Sequence, residues 1–185
     1  MTHKLLVEAE DRMKKAVDGV RKELTGIRSG KASPALLDSV RVEAYGQVVP
    51  LIQVGQVSAP EPRLLVVQPY DRSLVKVVAR AILQSDLGLN PTDDGVVVRV
   101  PIPTLTEERR RDLVRLVHSR LEEARVAIRN IRRDSHNDMR DFEKEKLISE
   151  NDLHMGEESL QKLTDKFIEE VGELGRKKES EIMEV

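Results

Sequence analysis

At 185 residues the chain has room for one large domain or two small ones, and a composition of 35% charged against 2% aromatic residues points to long, thin helical packing rather than a thick core. Cysteine is absent, which excludes disulfides, thiolate metal sites and thiol nucleophiles, and a formal net charge of −2 names no polyanionic partner by itself. No apolar run nears the roughly 18 residues of a membrane-spanning helix, and Glu8, Glu10 and Asp11 follow the short Leu5-Leu6-Val7 run too closely for a secretory signal, so a soluble cytoplasmic protein is expected.

Residues 2 to about 28 predict the first helix. Leu6, Ala9, Met13, Ala16, Val20, Leu24 and Ile27 step by threes and fours and so share one face. Gly30-Lys31-Ala32-Ser33-Pro34 then breaks it. A phosphate-binding loop is excluded here, because Thr25 stands where its first Gly belongs, Ala32 where its Mg²⁺-binding hydroxyl belongs, and no strand precedes it. The stretch reads as a linker.

Between residues 35 and 103 Val and Pro rise and the long stripes vanish. Val40-Arg41-Val42-Glu43 alternates as a half-buried strand does, and Tyr45-Gly46-Gln47 makes a turn. Val48 to Leu51 and Gln53 to Val57 read as short extended pieces, with Pro50 suited to an edge. Pro60-Glu61-Pro62 reads as a turn and Leu64 to Val67 as a strand. Asp71 is placed to cap a helix through Leu83 that stops near Gly88, and Asp93-Asp94-Gly95 turns into a last strand, Val96 to Val100.

Thr104-Leu105-Thr106-Glu107 then has a capping-box pattern, and no Pro or Gly follows until Gly156. Leu113, Val117, Ala124, Ile128, Ile131, Met139 and Phe142 fall on one face of a helix of about 42 residues, roughly 60 Å long. Ser149-Glu150-Asn151-Asp152 offers another cap. Leu153, Leu160, Leu163, Phe167, Val171, Leu174 and Ile182 run on from it at spacings near a coiled-coil repeat. Three helices with one apolar stripe each bury those stripes only against one another. The expected fold is α+β: a long three-helix bundle, residues 1–30 and 104–185, with a small domain, residues 31–103, inserted on a two-strand hinge.

No histidine is four residues from another and no Ser/His/Asp pattern stands out, so an enzymatic role has little support. The charge distribution says more. Residues 109–133 hold nine arginines and no lysine against Asp112, Glu122 and Glu123, a net of +6, while Ser149 to Val185 is −6. Arginine without lysine suits planar, bidentate contacts to phosphate or carboxylate. Arg125, Arg129, Arg132 and Arg140 follow a row beside the apolar stripe and should face outward. Arg120 and Arg140 are expected to pair with the acidic last helix. The Arg129, Arg132, Arg133 cluster is expected to meet phosphate. With stacking aromatics missing, the target should be folded, backbone-presenting RNA. The competing reading is a coiled-coil scaffold or chaperone, which would associate without salt dependence.

Four strings carry a family likeness: residues 27–34 (IRSGKASP), 85–91 (SDLGLNP), 103–110 (PTLTEERR) and 125–133 (RVAIRNIRR). Through them the whole chain resembles bacterial ribosome recycling factor. The resemblance implies an L-shaped molecule with a bundle arm and a smaller β/α/β arm. It implies a non-enzymatic role, with no cofactor or metal. The family binds the post-termination ribosome against large-subunit ribosomal RNA. With elongation factor G and its GTP hydrolysis, it separates the subunits and releases mRNA and tRNA. Matched to the motifs, Arg28, Arg110, Arg129, Arg132 and Arg133 would contact RNA. Gly30, Lys31, Ser33, Pro101, Pro103 and Thr104 would form the hinge of a monomer. Lys31 replaces the usual Arg, and Ala44 stands where a second Tyr is common.

Overall fold

The computed structural model describes residues 1–184; Val185, where the predicted bundle segment ends, lies outside the described residues. Its regular elements are helices α1 (Thr2–Gly26), α2 (Val75–Gln84), α3 (Glu107–Lys144) and α4 (Glu150–Met183) and strands β1 (Arg41–Ala44), β2 (Gln47–Pro50), β3 (Gly55–Glu61), β4 (Leu64–Pro69), β5 (Thr92–Asp93) and β6 (Val98–Pro101). Short 3-10 helices occupy Pro34–Leu37, Leu51–Gln53 and Arg72–Leu74. The chain divides into two compact units. One joins Met1–Ser29 to the chain from Glu107 onward; the other is Gly30–Thr106.

The first unit packs α1, α3 and α4 against one another. The buried stripe of α1 is Ala9, Met13, Val17, Val20 and Leu24. In α3 it runs Leu113, Val117, Leu121, Ala124, Ile128, Ile131, Ser135 and Met139, so Leu121 and Ser135 fill the two gaps in the apolar spacing. In α4 it is Gly156, Leu160, Thr164, Phe167, Val171, Gly175 and Ile182. The small and polar members have local reasons. Thr164 satisfies its hydroxyl by donating to the Leu160 carbonyl at 2.8 Å. A Cβ on Gly175 would overlap Leu121 Cδ1, and one on Gly156 would stand 2.9 Å from Met139 Sδ, so both glycines let α4 approach its neighbours. Burying Met13, Ile128, Met139, Leu160 and Ile182 contributes roughly 1.5–3 kcal/mol each.

The long helix begins at Glu107, not at Thr104. Thr104 lies outside the helix, and its Oγ1 accepts a 2.7 Å hydrogen bond from Arg63 Nη1. Glu107 and Glu108 occupy the first turn, where the helix dipole favours negative charge. α3 ends as Lys146 N–H donates to the Glu143 carbonyl and Leu147 N–H to the Phe142 carbonyl, both at 2.9 Å, with Lys146 at φ 58. That is a Schellman ending on a residue other than glycine. α4 opens with the predicted box: Ser149 Oγ accepts from Asp152 N–H and Asp152 Oδ2 from Ser149 N–H, each at 3.0 Å. The Ser149 hydroxyl bond holds the Asp152 carboxyl below the usual carboxylate range.

The second unit has two antiparallel sheets, β1-β2 and β3-β4-β6-β5, with α2 packed on them. Alternation places Val42 and Ala44 of β1, Leu65 and Val67 of β4, and Val98 and Val100 of β6 in one core with Val78 and Ile82 of α2. The β1–β2 turn holds Tyr45 at φ 53 and Gly46 at φ 77. Tyr45 hydroxyl donates to Asp71 Oδ2 at 2.6 Å, and Asp71 Oδ1 accepts from Ser73 N–H at 2.9 Å. Asp71 therefore caps the 3-10 turn that leads into α2, and its carboxyl lies below the ordinary range because of the Tyr45 bond first and Ser73 second. β3 runs through Pro60 to Glu61, where a turn is predicted, with a register shift between Ser58 and Glu61 that accommodates the proline. No helix among the described residues is long and apolar enough to cross a membrane.

Candidate nucleic-acid interface

α3 offers two flanks beside its buried stripe, and the two are used differently. The flank toward α1 is tied by ion pairs. Arg12 Nη2 meets Asp134 Oδ2 at 3.2 Å, and Arg120 Nε meets Glu23 Oε2 at 3.6 Å. The flank toward α4 is tied through histidine: His118 Nε2 lies 3.2 Å from Glu179 Oε2, and His136 Nε2 lies 2.7 Å from Glu157 Oε1. Helical spacing sets Arg125, Arg129 and Arg132 in the same row between those histidines. On α4 the corresponding row from Glu157 to Glu179 passes through Gln161, Thr164, Ile168, Gly172 and Gly175 and holds no carboxylate between those two ends. The acidic helix therefore leaves this arginine row uncompensated.

The pairings expected from net charge are not the ones that form. Arg120 is held by Glu23 of α1 and, at 3.3 Å, by Glu123 of its own helix, not by α4. Arg140 is exposed and carries no ion pair among the described residues. α3 and α4 meet through histidine instead, because Glu157 and Glu179 lie level with His136 and His118 and not with the arginines.

Of the five arginines named for RNA, Arg129, Arg132 and Arg133 stand together within one turn of α3. Arg132 is half-buried and has no hydrogen bond or ion pair among the described residues. Arg129 Nη2 donates to Glu122 Oε1 at 2.7 Å, and Arg133 Nη2 to Asn130 Oδ1 at 2.9 Å. Arg110, half-buried in the first turn of α3, is about 28 Å away along the helix. Arg28 is exposed beyond the end of α1. Arg129, Arg132 and Arg133 thus make a cluster of three, and Arg110 stands apart from it along α3. Residues that the sequence reading passed over are His118, His136 and Glu122. The signal for the histidines was present: they are 18 positions apart, five helical turns, in the row of Arg125, Arg129 and Arg132.

The residues named as a hinge all belong to the second unit, and several are fastened within it. Gly30, at φ 77, packs so closely on Leu105 that a Cβ would fall 2.9 Å from its Cγ. Ala32 N–H donates to the Pro62 carbonyl at 2.7 Å, next to Lys31 and Ser33. On the return crossing, Pro101 pairs with Leu64 in the sheet, and Ile102 N–H, beside Pro103, donates to the Arg63 carbonyl at 2.8 Å. Thr104 receives the Arg63 side chain. Both crossings thus converge on the Pro62–Arg63 turn. Among the described residues no cluster of side chains suited to a metal ion is present.

Comparison with known proteins agrees with this geometry. The family model described as ribosome recycling factor matches residues 20–183. Curated relatives named ribosome-recycling factor include those of Symbiobacterium thermophilum, 56% identical, Heliobacterium modesticaldum, 52%, and Roseiflexus sp. strain RS-1, 51%. Each is aligned over 100% of both chains. Among solved structures, the solution structure of a ribosome recycling factor is 46% identical with a TM-score of 0.76, covering 100% of this chain and 98% of its own. A second is 45% identical with a TM-score of 0.65 over 100% of both chains; it is the Thermus thermophilus factor in models with E. coli elongation factor G bound to the E. coli post-termination complex. A full-length match at these identities, on a bundle-and-sheet architecture of the same kind, means that the chain belongs to the ribosome recycling factor family.

Proposed function

We propose that this protein recycles ribosomes. It binds the post-termination ribosome in the cytoplasm as a monomer and, with elongation factor G and GTP hydrolysis by that partner, separates the subunits and frees mRNA and tRNA. The family membership supports this reading, and so does the similar ribosome recycling factor seen in models of a post-termination complex with elongation factor G. The observation that carries the chemistry is the arginine row of α3, left without carboxylates from α4. A guanidinium fork fits phosphate oxygens in pairs, and each phosphate met releases a counterion, which makes binding salt-dependent.

In this reading the bundle, residues 1–30 and 104–185, lies against large-subunit ribosomal RNA through Arg129, Arg132 and Arg133, with Arg28 and Arg110 as outlying contacts. The inserted domain, residues 31–103, turns on the segments around Gly30, Lys31, Ser33, Pro101, Pro103 and Thr104. The work is mechanical, and its energy comes from the partner: the Gly30-Lys31 stretch follows a helix, not the strand that a phosphate-binding loop needs. Co-sedimentation of the protein with ribosomes, with and without elongation factor G and GTP, tests the reading. Binding should fall steeply as salt rises, and splitting should require the GTPase. Binding indifferent to salt and to Arg132→Glu would remove the RNA contact from this flank.

A further inference from the structure

The arginine row contains one acid of its own. Glu122 lies one turn before Arg125 and two before Arg129, and its two carboxylate oxygens are divided between them. Oε1 accepts from Arg129 Nη2 at 2.7 Å, and Oε2 from Arg125 Nη1 at 3.5 Å. A carboxylate held between two guanidinium groups has the charge and the paired oxygens of a backbone phosphate. The opposite wall of the row offers no such group, since α4 presents Gln161, Ile168 and Gly172 there. Arg132, a turn further on, has no hydrogen bond or ion pair among the described residues. The row therefore has a loaded half and an open half.

We propose that Glu122 is a built-in phosphate mimic that sets the RNA specificity of this surface: it occupies Arg125 and Arg129 until a correctly spaced backbone displaces it. The idea rests on the RNA-binding reading above and adds an order to it. Arg132 makes the first phosphate contact because nothing must be released. Arg125 and Arg129 engage only when RNA offers phosphates in place of the Glu122 oxygens. Generic duplex RNA, which can reach Arg132 but is not shaped to the row, pays for breaking the clasp without the full return. A site of matched shape exchanges one ion pair for another.

Glu123 supplies the control. It is the next residue, it carries the same charge, and it pairs with Arg120, outside the row. Glu122→Gln and Glu123→Gln change net charge equally and both sit on the exposed face of α3. The experiment measures affinity of each variant for poly(A)·poly(U) duplex and for ribosomes across a salt series. Glu122→Gln should bind the generic duplex roughly two- to fivefold tighter than Glu123→Gln at about 0.1 M salt, the scale of one exposed ion pair. Its log–log salt slope should be steeper by about 0.7–0.9, one further phosphate met. Its gain on ribosomes should be smaller, so the ratio of ribosome to duplex affinity falls. Equal behaviour of the two variants, or weaker duplex binding by Glu122→Gln, overturns the proposal. Arg132→Glu is run alongside. If it weakens ribosome binding while Glu122→Gln matches Glu123→Gln, the mimic is wrong and the RNA surface stands. If Arg132→Glu changes nothing, the surface itself is wrong and the mimic falls with it.

Discussion

The two flanks of α3 carry similar residues to different ends. Toward α1, arginine finds carboxylate: Arg12 with Asp134 and Arg120 with Glu23. Toward α4, the helix of opposite net charge, Arg125, Arg129 and Arg132 find none among the described residues, and His118 and His136 bond to Glu179 and Glu157 instead. Net charge summed along a helix therefore says little about pairing. What decides it is which residues stand level with each other on facing rows. A helix can be acidic overall and still leave its neighbour's guanidinium groups open, provided its acids lie elsewhere on its circumference. Glu158, Asp165 and Glu169 of α4 are exposed, and two of them pair with bases on α4 itself: Glu158 with Lys162 and Glu169 with Arg176.

The contrast can be broken most strongly at Arg132. Arg132→Glu should weaken ribosome binding ten- to a hundredfold, the range for losing a charge-assisted contact, while thermal unfolding stays in place. Arg120→Glu, on the other flank, should leave binding within a few-fold of the parent in the same co-sedimentation. Next comes the seam that holds the rows in register. Gly175→Ala drives a methyl into Leu121, which is 4% exposed, and should cost about 1 kcal/mol net. Overpacking of roughly 1–3 kcal/mol is offset by the better helix propensity of alanine, about 1 kcal/mol. Denaturant midpoints measure it, and unchanged stability would mean that α4 is free to shift away. His136→Ala removes one end tie of the α4 flank. With both partners about a third exposed, the loss should be roughly 0.5–1 kcal/mol by the same method. Smallest is Arg120→Ala, expected within about 0.5 kcal/mol because its ion pairs are solvated.

Periodicity made the three long helices legible, because an apolar stripe repeats whatever it packs on. It failed where the core position is small or polar. Gly156, Thr164 and Gly175 of α4 and Ser135 of α3 are buried. None registers as apolar, so periodicity selects the half-buried Leu153, Leu163 and Leu174 in place of their α4 neighbours. In α1 the same ambiguity exchanged Ala16 for Val17. Thr104 looks like a cap in sequence, yet α3 starts at Glu107, and nothing local reveals that Arg63, 41 residues earlier, bonds the Thr104 hydroxyl. Short 3-10 turns such as Leu51–Gln53 have no period to detect. At the arginine row, the residue types were readable and the bonding between helices was not: whether Glu179 meets a guanidinium or His118 depends on the register of helices far apart in sequence.

The placement of the aromatic rings has a practical corollary. Tyr45 and Tyr70, 79% and 75% exposed, both lie in the smaller unit, both phenylalanines, Phe142 and Phe167, lie in the bundle, and the chain has no tryptophan. Ultraviolet emission excited at tyrosine wavelengths therefore originates in one unit alone, and the Asp71 carboxylate at the Tyr45 hydroxyl makes that signal sensitive to the hairpin tip. Circular dichroism, dominated by the long helices, watches the other unit. Without any engineered label, the molecule carries separate optical channels for its two halves, so their melting can be followed side by side in one cuvette.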